Sequence, residues 1–200
     1  YSLGNSLPNI IYILVAGGAL NAVFIPQLVR HMQNDPDGGH GFANRLLRVV
    51  ALITFTLTVV AVLAAPWIVH LYATSEYSAR EFDLAVAFAR LCLPQIVFYG
   101  LYTMFSQVLN ASGHFGSPMF APIVNNVVVI AACLAFLRVA GDQVDVDTIT
   151  DGEVAWLGIM TTVGVVLQAL VLVPVLLRSG FRFAYVKGLR GFGLGHTGKL

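Results

Sequence analysis

The chain has 200 residues, of which 58% are hydrophobic and only 10% are charged, and its mean hydropathy is +0.81. These values lie outside the range of soluble globular proteins, so they exclude a water-soluble fold and predict a membrane protein. The net charge of +1 is uninformative by itself, because 11 Lys and Arg nearly cancel 10 Asp and Glu. The placement of those charges is more informative.

Five transmembrane helices are predicted from stretches that contain no Asp, Glu, Lys or Arg. Residues 1–29, 49–75, 91–137 and 154–177 are such stretches, and each is long enough for a spanning helix of about 20 residues. The third must form two helices, because its middle reads NASGHFGSP and supplies turn chemistry. The predicted fold is an all-α polytopic membrane helix bundle, with spans near residues 4–29, 46–72, 84–110, 118–139 and 154–177.

Helix-breaking and small residues occur inside these apolar spans. Prolines bend or loosen a helix, and small residues let two helices approach closely in a membrane. Six residues are therefore predicted hinges or packing points: Pro8, Gly17, Gly18, Pro26, Pro94 and Pro122. The combination of a proline with an amide recurs at Pro94-Gln95, at Pro122 with Asn125 and Asn126, and at Gln168 with Pro174.

Polar side chains within the spans are the candidates for a functional site. In hydrocarbon they are tolerated mainly where they face protein or a watery cavity, and interrupted polar spans are typical of transporters with central sites. An ordinary packing interface with interhelical hydrogen bonds is the alternative. The candidates for lining a substrate cavity are Asn9, Tyr12, Ala16, Asn125, Gln168 and Arg90. Arg90 has a second interpretation, in which its side chain extends to the membrane surface.

The orientation follows from the loop charges. Five spans place residues 30–48, residues 110–118 and the C-terminal tail on one side, which holds eight Lys and Arg. The opposite side holds only Arg80 and Arg138 but eight Asp and Glu. The positive-inside rule then predicts that the basic side is cytoplasmic.

No pattern predicts catalysis, a cofactor or a metal site. Residues 193–198 fit GxGxxG and nearly fit a P-loop, but Leu200 follows Lys199 where a P-loop needs Ser or Thr, and no strand precedes it. The histidines lack metal-ligand spacing. Cys92 and Cys133 fall within spans, so a disulfide is not expected. We expect no enzyme activity, no nucleotide and no nucleic-acid partner.

Three blocks of the sequence carry a resemblance to a known family. They read SLPNIIYILVAGGALNAVFIPQL, AAPWIV and FARLCLPQIVFYGLYTMFSQVLNASGHFGSPMFAPIVNN. In order and spacing they resemble the MurJ/MviN lipid II flippases of the MOP superfamily, over essentially the whole chain. The resemblance implies that residues 1–178 are the second to sixth helices of an amino-terminal lobe. Residues 179–200 would form a cytoplasmic interfacial linker towards a second lobe, so that the chain is expected to be a piece of a longer protein.

The same resemblance implies a function. Such a protein moves lipid II, an undecaprenyl-pyrophosphate-linked peptidoglycan precursor, between the leaflets of the bacterial plasma membrane by alternating access. The implied partners are lipid II, membrane lipids and cell-wall synthesis proteins. A MOP-type drug/cation exporter and a non-transporting scaffold for cell-wall enzymes remain as alternatives.

One short stretch departs from the family pattern. Many relatives carry two arginines shortly after LPN and an acidic residue before Gly-Ala, where this chain has Tyr12, Ile13 and Gly17. An anionic pyrophosphate needs positive partners in a low-dielectric region. The resemblance therefore implies that such partners come from the family's first helix and second lobe.

Overall fold

The computed structural model describes residues 2–14, 25–72, 78–140 and 148–184. The secondary structure of this part of the chain is α-helical, which confirms the predicted fold class. Its helices in chain order are α1 Ser2–Tyr12, α2 Ile25–Asn34, α3 His40–Leu63, α4 Ala65–Tyr72, α5 Ala79–Cys92, α6 Gln95–Ala111, α7 Gly116–Ala140, α8 Asp151–Leu170 and α9 Leu172–Arg178.

Within the described residues, four helical segments are long and apolar enough to cross a membrane. They are His40–Leu63, Ala79–Ala111, Gly116–Arg138 and Asp151–Arg178, and they correspond to the last four predicted spans. The two helices predicted within residues 91–137 are confirmed, since α6 ends at Ala111 and α7 begins at Gly116. The first predicted span covers α1 and the start of α2, and residues 15–24 between them lie outside the described part. That crossing stays a prediction.

Three of the spans predicted as single helices are broken. The breaks fall at Ala64, at Leu93–Pro94 and at Val171. Pro94 lies within the second break, and Pro66 and Pro174 follow the first and third closely. Proline has no N–H to donate, and its ring clashes with the carbonyl four residues earlier. The breaks therefore follow from Pro66, Pro94 and Pro174, whereas α7 continues through Pro122.

Small residues bring the helices of the bundle together. Helix α8 packs on α5, α6 and α7, and α3 packs on α6. A Cβ atom added at Gly158 of α8 would lie 2.8 Å from Cβ of Leu91, and one added at Gly100 of α6 would lie 2.7 Å from Cγ2 of Thr54. Glycine is thus needed at both contacts, as in other tightly packed membrane helices.

The loops meet at two opposite ends of the bundle. At one end, the side chain of Asn44 donates to the carbonyl of Arg182 at 2.8 Å and accepts from the N–H of Ala184 at 3.1 Å. At the other end, Arg80 donates to the carbonyl of Ile149 at 3.1 Å. These contacts join the start of α3 to the segment after α9 at one end, and the start of α5 to the segment before α8 at the other. The first end carries more of the basic residues.

Candidate functional site

A polar cavity of about 330 Å³ lies between α1, α6, α7 and α8. Thr161 is near the midpoint of α8, and Asn125 is in the middle third of α7, so the cavity is deep within the spans. Its polar lining consists of Asn5, Gln95, Tyr99, Asn125, Asn126 and Thr161. Val129, Ile130 and Val165 also line it, so none of the described lining residues is charged.

The helix break at Pro94 positions one side of the cavity. Thr162 of α8 donates its hydroxyl to the carbonyl of Leu91 at 2.7 Å, just before the break. The same hydroxyl accepts from Nε2 of Gln95 at 3.2 Å, just after it. Tyr99 then donates to Oε1 of Gln95 at 3.4 Å. Thr162 therefore connects both sides of the break, and the amide of the fully buried Gln95 is held in one orientation.

Asn125 forms the opposite side of the cavity. Its Oδ1 atom is buried and accepts no hydrogen bond from any described residue. The side chain lies against Gly164, where an added Cβ atom would collide with Oδ1 and approach the Asn125 carbonyl oxygen to 3.3 Å. Asn126, the next residue, is exposed. An acceptor without a donor in the middle of a membrane span is costly and marks a candidate site.

The other cavity candidates predicted from the sequence occupy different surroundings. Asn9 is exposed on α1. Tyr12 is buried and donates to Oγ1 of Thr103 at 2.8 Å, with its ring centroid 6.0 Å from that of Tyr99. Gln168 is buried on α8, and Arg90 is exposed near the end of α5. The structure therefore places only Asn125 of these residues at the cavity, and Tyr12 approaches it through Tyr99.

The predicted hinge and packing residues are also spread through the fold. Pro8 lies inside α1, Pro26 is the second residue of α2, and Pro94 directly precedes α6. Pro122 lies inside the continuous α7. Ala16, Gly17 and Gly18 are outside the described residues.

Five of the six polar residues that line the cavity were not among the sequence candidates, namely Asn5, Gln95, Tyr99, Asn126 and Thr161. Gln95 and Asn126 lie beside Pro94 and Asn125, and that proline–amide combination was the available signal. Nothing in the sequence marks Thr161, because a threonine in a span can donate within its own helix. Thr161 does so, to the carbonyl of Leu157 at 2.9 Å.

The chemistry available in the cavity is hydrogen bonding without charge. Its amide and hydroxyl groups can donate and accept, but no carboxylate, imidazole or amine lies among the lining residues that the structure describes. No group of three or more His, Cys, Asp or Glu that could hold a metal ion occurs within the described residues. The arrangement suits binding of a polar, uncharged group.

The fold and the cavity define a multi-pass α-helical membrane protein with broken spans around a polar centre, which is a transporter type of architecture. Within that class, the family model described as "Lipid II flippase MurJ" matches residues 1–200. The chain belongs to this family.

Individual relatives agree with the family match. The chain is 35% identical over 130 residues to the lipid II flippase MurJ of Burkholderia cenocepacia, which covers 64% of this chain and 25% of that protein. It is 33% identical over 128 residues to a probable lipid II flippase MurJ of Rhizobium tropici, with 62% and 24% covered. For the probable flippase of Rhizobium meliloti the identity is 28% over 183 residues, with 88% and 33% covered. The matched part is thus about a quarter to a third of each relative's length.

Proposed function

We propose that this chain is part of the amino-terminal lobe of a flippase that moves lipid II from the cytoplasmic to the outer leaflet of the bacterial plasma membrane. The observation that carries the proposal is the family match over residues 1–200. The uncharged polar cavity between broken membrane helices supports it, because a flippase must let a polar headgroup pass through hydrocarbon. In this proposal the protein catalyses no chemical reaction.

Alternating access needs one rigid body to move against another. The tightly packed contacts at Gly100 and Gly158 make α3, α5, α6 and α8 suitable for moving as a unit. The described lining of the cavity carries no positive charge, so the pyrophosphate needs cationic partners beyond these residues. We propose that residues 1–178 supply one wall of the pathway and that residues 179–200 lead along the cytoplasmic surface to the second lobe.

Two other functions compete with this proposal. A drug/cation exporter of the same superfamily would be expected to couple transport to an acidic residue within a span, and the described residues that line the cavity include no Asp or Glu. A scaffold for cell-wall enzymes would not need a polar cavity. An assay of lipid II exchange between leaflets, using the full-length protein in vesicles, separates both alternatives from the flippase.

The decisive experiment is rescue of cells depleted of their own lipid II flippase. The full-length protein should restore growth, whereas residues 1–200 alone should insert in the membrane and fail, because they lack a second lobe. Growth with residues 1–200 alone would contradict the two-lobe mechanism.

Substitutions in the full-length protein refine that test. Asn125→Leu should reduce transport several-fold while membrane abundance stays near normal, because Asn125 lies at the cavity. Asn110→Leu, outside the cavity at the end of α6, is the matched control. Equal losses of abundance and transport would assign Asn125 to packing instead.

A further inference from the structure

We propose that the cavity between α1, α6, α7 and α8 binds the uncharged part of the substrate headgroup, through sugar hydroxyl and acetamido groups, and does not bind the pyrophosphate. This inference rests on the proposed function, since it assigns the sugar part of the lipid II headgroup to this cavity. The lining offers four asparagine or glutamine side chains, Asn5, Gln95, Asn125 and Asn126, and no Arg or Lys among its described residues. Neutral amides match hydroxyl and acetamido groups, whereas a pyrophosphate requires Arg or Lys.

The Asn125 side chain argues against a merely structural role for the cavity. Amides that join membrane helices are paired, as Gln95 is with Thr162 and Tyr99. Oδ1 of Asn125 is buried and accepts from no described residue, and Asn126 is exposed. Leaving such a group unmatched costs about 1–3 kcal/mol. A ligand that donates a hydrogen bond would remove that cost.

The cavity is also organised before a ligand arrives. Gln95 is fully buried and held by two partners, and Gly164 lets Asn125 lie flat against α8. Fixed side chains lose little entropy on binding, which favours recognition of one arrangement of donors and acceptors.

The size of the cavity limits what it can hold. A volume of about 330 Å³ is at the lower end of the range for small-molecule sites and equals the liquid volume of roughly eleven waters. That size suits part of a headgroup, such as a single acetamido sugar, and is small for a whole lipid-linked disaccharide peptide. The cavity would therefore hold one sugar while the rest of the headgroup lies in the larger pathway.

The test compares two ligands on the purified full-length protein. The dissociation constants of lipid II and of undecaprenyl pyrophosphate, which lacks the sugars, are measured for the wild type, Asn125→Leu and Asn126→Leu. Asn126 is exposed, so its replacement cannot act through misfolding of a core. Both variants should weaken lipid II binding roughly three- to tenfold, as expected for one lost neutral hydrogen bond, and should leave undecaprenyl pyrophosphate binding unchanged. Asn110→Leu should change neither.

Each other result has a distinct meaning. Unchanged lipid II binding in both variants, or equal weakening of the two ligands, would overturn the sugar site and leave the flippase proposal standing. Failure of the wild-type protein to bind lipid II, despite binding undecaprenyl pyrophosphate, would overturn the choice of substrate in the proposed function itself.

Discussion

Hydroxyl side chains in the spanning helices find most of their hydrogen-bond partners locally. Thr54 donates to the carbonyl of Val50, and Thr58 donates to that of Thr54, each at 2.8 Å. This bonding to the residue four positions earlier satisfies a buried hydroxyl without any second helix. A single bond of this kind leaves part of an amide side chain unpaired, because each amide has two donor hydrogens and an acceptor oxygen. The amides of the bundle therefore mark contacts between helices or a ligand site.

Asp37 is expected to stabilise the start of α3 in a pH-dependent way. Its carboxylate accepts from the N–H of Gly41 at 2.8 Å and of Gly39 at 3.0 Å, and the bond from Gly41 is the main cause of a lowered pKa. A carboxyl group with a lowered pKa in the folded state contributes stability above its unfolded pKa of about 3.9, and this is lost as the pH falls through the folded value.

Replacement of Asp37 tests that expectation. Asp37→Ala should lower the melting temperature of the full-length protein at pH 7 by an amount corresponding to roughly 0.5 kcal/mol, the lower end for a capping side chain, since the group is almost fully exposed. The difference from wild type should shrink below about pH 4. Asp37→Asn keeps one acceptor oxygen and should lose less. A difference that stays constant from about pH 5 down to about pH 2 would show that the charge is not the cause.

Arg90 is expected to extend towards the outer membrane surface. It lies seven residues after Asp83 on α5, which is about 10 Å along a helix, and its side chain is exposed and outside the cavity lining. Long cationic side chains reach the headgroups from such depths. Arg90→Lys and Arg90→Gln should therefore both retain transport of lipid II at normal expression. A selective loss with Arg90→Gln would instead make Arg90 a charge of the transport pathway.

Single residues of the site were only partly predictable from the sequence. Asn125 was recognisable because an amide in an apolar span near a proline is conspicuous. Asn5 and Thr161 were not, since their place at the cavity depends on how α1 and α8 approach α6 and α7. Tyr12 was predicted at a cavity wall, but its partner Thr103 is 91 positions away, and no local pattern identifies such a pairing.

At the scale of helices, hydropathy predicted where the spans lie but not that three of them are broken. Length and apolar character are the same for a straight and a broken span. The chemistry of the breaks was visible in Pro66, Pro94 and Pro174, yet Pro122 lies in an unbroken helix. Whether a proline interrupts a helix depends on which groups bond the carbonyls that lose their helical partners. Near Pro94, the carbonyl of Leu91 accepts from the hydroxyl of Thr162, which lies on another helix.

Gly164 controls the contact between α7 and α8. A Cβ atom there would overlap the side chain of Asn125, so Gly164→Ala must push the helices apart or displace the amide. We expect a loss of about 1–3 kcal/mol, the usual cost of overpacking, measured as a lower melting temperature of the full-length protein. Gly152→Ala is the matched control on the same helix, because its added Cβ meets nothing nearer than 3.9 Å. Equal melting temperatures for the two variants would contradict the tight contact.

At the scale of the whole molecule, the two ends of the bundle differ in charge and in structure. Helices α5 and α8 both begin at the acidic end with capping boxes, formed by Ser78 with Glu81 and by Thr150 with Glu153. At the basic end, Phe181 is buried in the main hydrophobic core and Asn44 holds the chain that leaves α9. The arrangement of loops at two ends was predictable from the span count, but these anchoring contacts were not.

The last prediction concerns which end faces the cytoplasm. The basic end should do so, because Lys and Arg in short loops resist translocation across the membrane. In a cysteine-free full-length protein, Gln33→Cys and His114→Cys at the basic end should be protected from a membrane-impermeant thiol reagent in intact cells. Ala79→Cys and Gly152→Cys at the acidic end should react; all four positions are exposed. Permeabilised cells provide the control, since every cysteine should then be labelled. Labelling of Gln33→Cys or His114→Cys in sealed cells would reverse the orientation, and with it the direction in which the proposed substrate enters the cavity.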